Sequence, residues 1–194
     1  MLRRDLFRFV GAAGAAAGMA SRADAREFPA DYDASKELAR ADWKPAFLDE
    51  HQNETLIILS DLIIPHTDTP GAKEALVNRF IDRLLAAESA DTQREFLESL
   101  ASLDGEAMAR HRGAFRYLPQ ESQVELLGFL AYPHSLDTWG GSAEEIPGHT
   151  HFVRLKDWIT RAFYSSETGM RELGYDGPAH GVFEGCTHPE GSDG

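Results

Sequence analysis

The chain has 194 residues, of which 42% are hydrophobic, and its formal net charge is −13 at pH 7. This length suits one domain, and this composition can fill a core. Four arginines and two aspartates give residues 1–25 a net charge of +2, so residues 26–194 carry −15. So acidic a chain is a poor binder of nucleic-acid phosphates and is repelled by anionic lipid, which argues against nucleic acid as a partner. The charge either keeps the chain soluble or forms an acidic docking face.

The first residues resemble a twin-arginine export signal. The residues that carry this motif are Arg3, Arg4, Leu6 and Phe7, followed by Arg8. Residues 10–20 form a weakly hydrophobic stretch that is too short to span a bilayer. A cleavage site of the A-x-A type lies at Ala23 and Ala25, and residues 18–20 offer a second one. The sequence therefore predicts a cleavable twin-arginine signal over residues 1–25.

The mature domain, residues 26–194, is predicted to be all-α, a single helical domain of about five to seven helices with long loops. A helical hairpin organises it. The first helix of the hairpin spans residues 49–64 and ends at Pro65, which lacks an amide hydrogen and disfavours the α conformation at Ile64. Two helices with a short connection are antiparallel neighbours, so this hairpin is expected to seed the core.

The remaining elements follow from turn residues and apolar spacing. Residues 67–71 have turn composition, and Asp68 or Thr69 is predicted to cap the second helix of the hairpin, residues 73–87. The other predicted helices are Ala34–Phe47 with a break near Pro45, a helix capped by Asp91 that runs to about Arg112 with an interruption near Gly105, Pro119–Ala131, and His149–Ser165. The side chains predicted to face the core from the last three are Phe96, Leu97, Leu100, Leu103, Val124, Leu127, Leu130, Phe152, Leu155, Ile159, Ala162 and Phe163.

A long loop, residues 132–148, is predicted before the last strong helix. Loops of this length in a compact domain are usually functional or disordered. The loop carries Trp139, which either contributes to an interface with another chain or folds back onto its own core.

Four segments, taken in order, resemble the gluconate 2-dehydrogenase subunit 3 family. The residues that carry the resemblance are Asp61, Ile63, Ile64, Pro65, Thr67, Asp68, Pro70, Gly71 and Ala72, then Tyr164, Ser166, Glu167 and Gly169, then Leu173, Gly174, Tyr175 and Asp176, and finally Gly185 and Cys186. The resemblance covers about residues 50–187. Ala162 stands where the family usually has glycine, and Pro178 and Gly181 are further apart than is usual in its tail.

The resemblance implies a non-catalytic small subunit of a periplasmic dehydrogenase that acts on a sugar, a sugar acid such as gluconate, or a polyol. FAD, the catalytic base and the substrate pocket would lie on a large flavoprotein subunit of the glucose–methanol–choline (GMC) type, and a c-type cytochrome subunit often takes the electrons. This chain would stabilise the flavoprotein and bring it to the twin-arginine translocase. Trp139, Tyr164 and Tyr175 are the candidate interface residues. Attachment to the inner membrane through the complex stays open.

The sequence shows no cofactor motif of its own. It has no Cys-x-x-Cys-His for haem, no cysteine set for an iron–sulfur cluster and no flavin fingerprint. His149 and His151 diverge by about 200° on a helix, so they do not form a metal pair. Glu167 is interpreted as a partner for a helix end and Asp68 as a turn former. The alternative is a stand-alone periplasmic hydrolase or metal-dependent enzyme that uses the loop histidines, which are His66, His134, His180 and His188.

Cys186 is the one cysteine of the chain, so it cannot form an internal disulfide. In an exported protein an unpaired cysteine suggests a bridge to another chain or a free thiol. The family resemblance places a cysteine at this position, beside Gly185. The hypothesis is an intersubunit disulfide to the large subunit, and the alternative is a buried free thiol packed against Phe183.

Overall fold

The computed structural model describes residues 34–132 and 146–175, and these ranges contain seven α-helices, one 3₁₀ turn and no strand. The helices are α1 Ala34–Leu38, α2 Glu50–Ile63, α3 Val77–Ala87, α4 Ala90–His111, α5 Gln120–Leu130, α6 His149–Tyr164 and α7 Glu167–Glu172, and the 3₁₀ turn is Phe115–Tyr117. The predicted all-α class is confirmed for this part of the chain. None of these helices is both long enough and apolar enough to cross a membrane.

The core lies where α4 and α6 pack together, with α3 against α6 and α2 against α3. Its fully buried large side chains come from α2 to α6 and the 3₁₀ turn: Leu56, Leu59, Val77, Ile81, Leu85, Phe96, Phe115, Leu126, Leu130, Leu155, Ile159 and Phe163. The rings of Phe96 and Trp158 meet edge to face with their centroids 5.5 Å apart. Most of the side chains predicted to face the core are therefore buried in it, and Leu97 is half-buried at its edge.

Helix α5 corrects one prediction about which side chains face the core. Val124 was expected to point inward, but 53% of it is exposed. Gln123 is buried instead, and its side-chain amide donates a hydrogen bond of 2.9 Å to the carbonyl oxygen of Phe115. This bond fixes the rotation of α5, because a buried carbonyl left without a donor would cost free energy. The buried face of α5 is therefore formed by Gln123, Leu126, Leu127 and Leu130, and Val124 lies outside it.

The first helix of the hairpin was predicted to within one residue at each end, and the second was not. Asp49 caps α2 by accepting a hydrogen bond of 2.8 Å from the backbone N–H of Gln52. The second helix starts at Val77 rather than residue 73, and neither Asp68 nor Thr69 caps it. Leu76 lies in the left-handed region with φ of 54°.

The backbone around Leu76 explains the late start of α3. The N–H of Val77 bonds to the carbonyl of Ala72 and the N–H of Leu76 to that of Lys73, each at 3.1 Å. This hydrogen-bond pair is the Schellman arrangement that terminates a helical turn. One short turn therefore ends at Leu76 before α3 begins.

Helix α4 also differs from its prediction at two points. Ser89, not Asp91, is its N-cap, and the Ser89 hydroxyl accepts the N–H of Thr92 at 3.2 Å. The helix runs through Gly105 without interruption. A side chain at Gly105 would touch nothing, so the position is on the open surface of the helix. The packed side chains around it hold the helix together.

The segment before α2 is not the predicted helix to Phe47, because α1 ends at Leu38. Residues 46–48 are held by the Asp82 carboxylate of α3, which is 1% exposed. That carboxylate accepts the backbone N–H groups of Ala46, Phe47 and Leu48 at 2.7, 3.0 and 2.8 Å. These amides are therefore unavailable for helical hydrogen bonds, and Asp82 ties the entry of α2 to α3.

Candidate partner-binding surface

The first family motif builds the connection between α2 and α3. Gly71 is buried, and a Cβ atom there would lie 2.6 Å from backbone atoms of Ile64, Pro65 and His66. The N–H of Ala72 donates to the carbonyl of Ile64 at 2.9 Å, which closes the turn. Only glycine allows this approach of two backbone segments. The motif residues here shape a turn and do not gather reactive groups.

Two acidic side chains stabilise that turn. The Glu74 carboxylate accepts hydrogen bonds from its own backbone N–H and from the N–H of Gly71, the latter at 2.9 Å. These bonds hold the pKa of the Glu74 carboxyl below its usual range. Asp68 accepts a hydrogen bond of 3.0 Å from the Thr67 hydroxyl, which agrees with its interpretation as a turn former.

The second motif shapes the turn between α6 and α7. Ser166 caps α7 by accepting the N–H of Gly169 at 3.1 Å. A Cβ atom at Gly169 would collide with the carbonyl oxygen of Phe163, so this position requires glycine. Glu167 pairs with Arg171 one turn later.

The third motif ends α7. Gly174 has φ of +78°, and its N–H donates to the carbonyl of Arg171 at 2.9 Å. The N–H of Tyr175 donates to the carbonyl of Met170 at 2.9 Å, which completes a Schellman arrangement. Glycine is favoured here because the left-handed conformation has no steric penalty without a Cβ atom.

These turns leave large apolar side chains on the surface of the α6–α7 end. Tyr164, Leu173 and Tyr175 are 36%, 65% and 43% exposed. Tyr164 and Tyr175 are two of the three candidate interface residues identified from the sequence. The third, Trp139, lies outside the described residues, as do the export motif, the cleavage sites and Cys186. Exposed aromatic side chains of this kind are enriched in protein–protein interfaces.

Residues 50–177 match the family model for gluconate 2-dehydrogenase subunit 3, a range that spans α2 to α7 and takes in three of the four motif segments. The chain belongs to the gluconate 2-dehydrogenase subunit 3 family. The predicted resemblance is thus confirmed, and family membership makes the chain a subunit of a dehydrogenase complex. Comparisons with curated proteins and with solved structures found no match.

In this subunit His149 and His151 contact groups of neighbouring helices. The Nδ1 atom of His149 lies 2.8 Å from the carbonyl oxygen of Leu130, and Nδ1 of His151 lies 3.2 Å from the Ser99 hydroxyl. His66 is an exposed loop residue whose Nδ1 lies 3.4 Å from a Glu74 oxygen. Over residues 34–132 and 146–175, no three His, Cys, Asp or Glu side chains could hold a metal ion. His134, His180 and His188 lie outside those ranges.

One polar contact was missed by the sequence analysis. His51 of α2 places Nε2 2.5 Å from Oδ2 of Asp104 in α4. The other oxygen of Asp104 accepts the N–H of Phe115 at 2.8 Å. Asp104 therefore links α2, α4 and the 3₁₀ turn, so its role is structural. No sequence signal could reveal it, because the two side chains are 53 residues apart.

Proposed function

We propose that the chain is the non-catalytic small subunit of a periplasmic, FAD-dependent dehydrogenase for a sugar, a sugar acid such as gluconate, or a polyol. FAD and the substrate pocket belong to a large GMC-type flavoprotein subunit, which this chain stabilises. The observation that carries the proposal is the family match over residues 50–177. The geometry supports it, because the family motifs at Gly71, Gly169 and Gly174 form turns rather than a reactive cluster.

The partner surface in this proposal includes Tyr164, Tyr175 and Trp139, and Cys186 forms the disulfide to the large subunit. Such a bridge raises the effective concentration of the two subunits but does not create their interface. Non-reducing electrophoresis of the complex tests the disulfide: a band at the summed mass must disappear in Cys186→Ser.

A c-type cytochrome subunit is the proposed electron acceptor.

Export of the complex depends on this chain in the proposal, because a twin-arginine signal carries folded cargo. The variant Arg3→Lys with Arg4→Lys is expected to retain both this subunit and the flavoprotein in the cytoplasm and to abolish most periplasmic dehydrogenase activity. Fractionation followed by immunoblotting and an activity assay measures this. The matched control is Arg8→Lys, which changes an arginine of the same segment outside the pair and should export normally. Normal periplasmic activity in the double variant would refute joint export.

A further inference from the structure

A groove of about 330 Å³ runs between α3 and α6. One wall is formed by Phe80 and Leu84, which lie four residues apart on one face of α3, and by Glu88, the C-cap residue that follows the helix. The other wall is a ridge of α6 that includes Trp158 and Arg161. Two neighbouring helix ridges leave a trough that fits a third helix.

The floor of the groove is largely apolar, and its aromatic side chains are packed against the core. Trp158 is half-buried, and its contact with Phe96 holds the ring edge to face at 5.5 Å. Phe80 is half-buried beside it, and Leu84 is 37% exposed. Side chains that are already ordered lose little entropy when a partner covers them, so this floor is suited to binding. Tryptophan and arginine are also the residue types that dominate binding energy at interfaces.

The two acidic side chains on the rim differ in whether they have a partner. The Asp157 carboxylate holds Arg161 through contacts of 3.0 Å to Nε and 2.9 Å to Nη2, so that pair is internally satisfied. The Glu88 carboxylate makes no hydrogen bond or ion pair with any residue that the structure describes. An apolar floor with one exposed carboxylate at its rim is complementary to an apolar side chain that lies next to a cation.

We propose that this groove binds an amphipathic helix of the large flavoprotein subunit, which lays its apolar face on Leu84 and Trp158 and sets a lysine or arginine against Glu88. The assignment rests on the proposed function. A second copy of this chain fits the groove poorly, because residues 26–194 carry −15 and the two copies would repel each other.

A site-specific photo-cross-link tests this inference in the complex. The full chain carries p-benzoylphenylalanine at position 84 and is co-expressed with the GMC-type flavoprotein of the same organism. The matched control carries the same group at Met108 of α4, which is also an exposed apolar position and does not line the groove. We expect irradiation to join position 84, and not position 108, to a flavoprotein peptide that is helical, apolar on one face and basic at one end.

Affinity measurements give a second readout. Leu84→Arg should weaken binding of the purified flavoprotein at least tenfold, Met108→Arg should leave it unchanged, and Glu88→Gln should weaken it severalfold with a smaller salt dependence. Thermal melting confirms that each variant folds. Two results would refute the groove as the binding site and leave the proposed function standing. One is a stable complex that cross-links from position 108 alone. The other is a position-84 cross-link to a second copy of this chain or to its own tail. Failure of the unmodified chain to bind the flavoprotein would overturn both.

Discussion

Replacing Asp82 by alanine is expected to lower the free energy of unfolding by roughly 3–6 kcal/mol, the largest effect of any single substitution considered. The carboxylate is 1% exposed and accepts three backbone N–H groups, from Ala46, Phe47 and Leu48. Its removal leaves the N–H groups of Phe47 and Leu48 without a partner inside the protein, whereas that of the exposed Ala46 can bond to water. Each hydrogen bond to a charged group contributes about 1.5–3 kcal/mol, so the two less exposed groups account for the expected loss. A loss of that size is a large fraction of the stability of an ordinary domain.

Chemical denaturation of Asp82→Ala measures this loss, with Asp82→Asn and Asp91→Ala beside it. Asparagine keeps one acceptor oxygen, so Asp82→Asn should fall between the wild type and Asp82→Ala. Asp91 is an exposed aspartate whose partner is Arg94 one turn away, and its loss should change stability by less than about 1 kcal/mol. Equal midpoints for Asp82→Ala and Asp91→Ala would show that the Asp82 contacts do not stabilise the fold.

Gly169→Ala is expected to destabilise the protein by about 1–3 kcal/mol, although alanine is the better helix former. The added Cβ atom would overlap the carbonyl oxygen of Phe163, which is backbone and cannot move away without shifting the α6–α7 turn. The variant should also expose the amides of α7, so hydrogen exchange at residues 167–172 should accelerate.

Gly128→Ala is the control, because it makes the same substitution in α5 at a position where a Cβ atom meets nothing within 4 Å. It should stabilise the protein by about 0.5–1 kcal/mol through helix propensity alone. The two variants should therefore change the free energy of unfolding in opposite directions. This difference distinguishes a steric collision with the backbone from helix propensity. A Gly169→Ala protein as stable as Gly128→Ala, with unchanged exchange in α7, would contradict the geometry of the turn.

The elements that the sequence predicted well are those set by local chemistry. Helix α6 shows regular apolar spacing, and both its start at His149 and its buried face were predicted correctly. Pro65 marked the end of α2, because the restriction that proline places on Ile64 acts within the chain segment itself.

The errors came from tertiary contacts that no local pattern encodes. Val124 was placed in the core because its spacing is helical, whereas the bond from Gln123 to Phe115 rotates α5 away from it. The helix predicted to reach Phe47 stops early, and the amides at residues 46–48 bond instead to Asp82, about 35 residues further along the chain. In each case a buried polar group had to be satisfied, and its partner lies on another element.

The candidate site was only partly predictable. The motifs identified the family, yet their described glycines, Gly71, Gly169 and Gly174, serve turns. The groove was not foreseen, because Leu84 and Trp158 belong to separate helices and each helix alone shows only ordinary amphipathic spacing. Which side chains stay exposed between two packed helices depends on how the helices cross, and that follows from the whole core.

The central proposal is that this chain supports a flavoprotein and does no chemistry of its own. The most direct measurement is the flavin content and dehydrogenase activity of three purified samples: this chain, the flavoprotein, and the two co-expressed. The account predicts a stable complex in which all flavin is bound to the large subunit, lower yield or activity of the flavoprotein alone, and neither flavin nor sugar oxidation in this chain alone. Flavin or sugar-oxidising activity in the isolated chain, or a flavoprotein that neither binds it nor gains from it, would contradict the account.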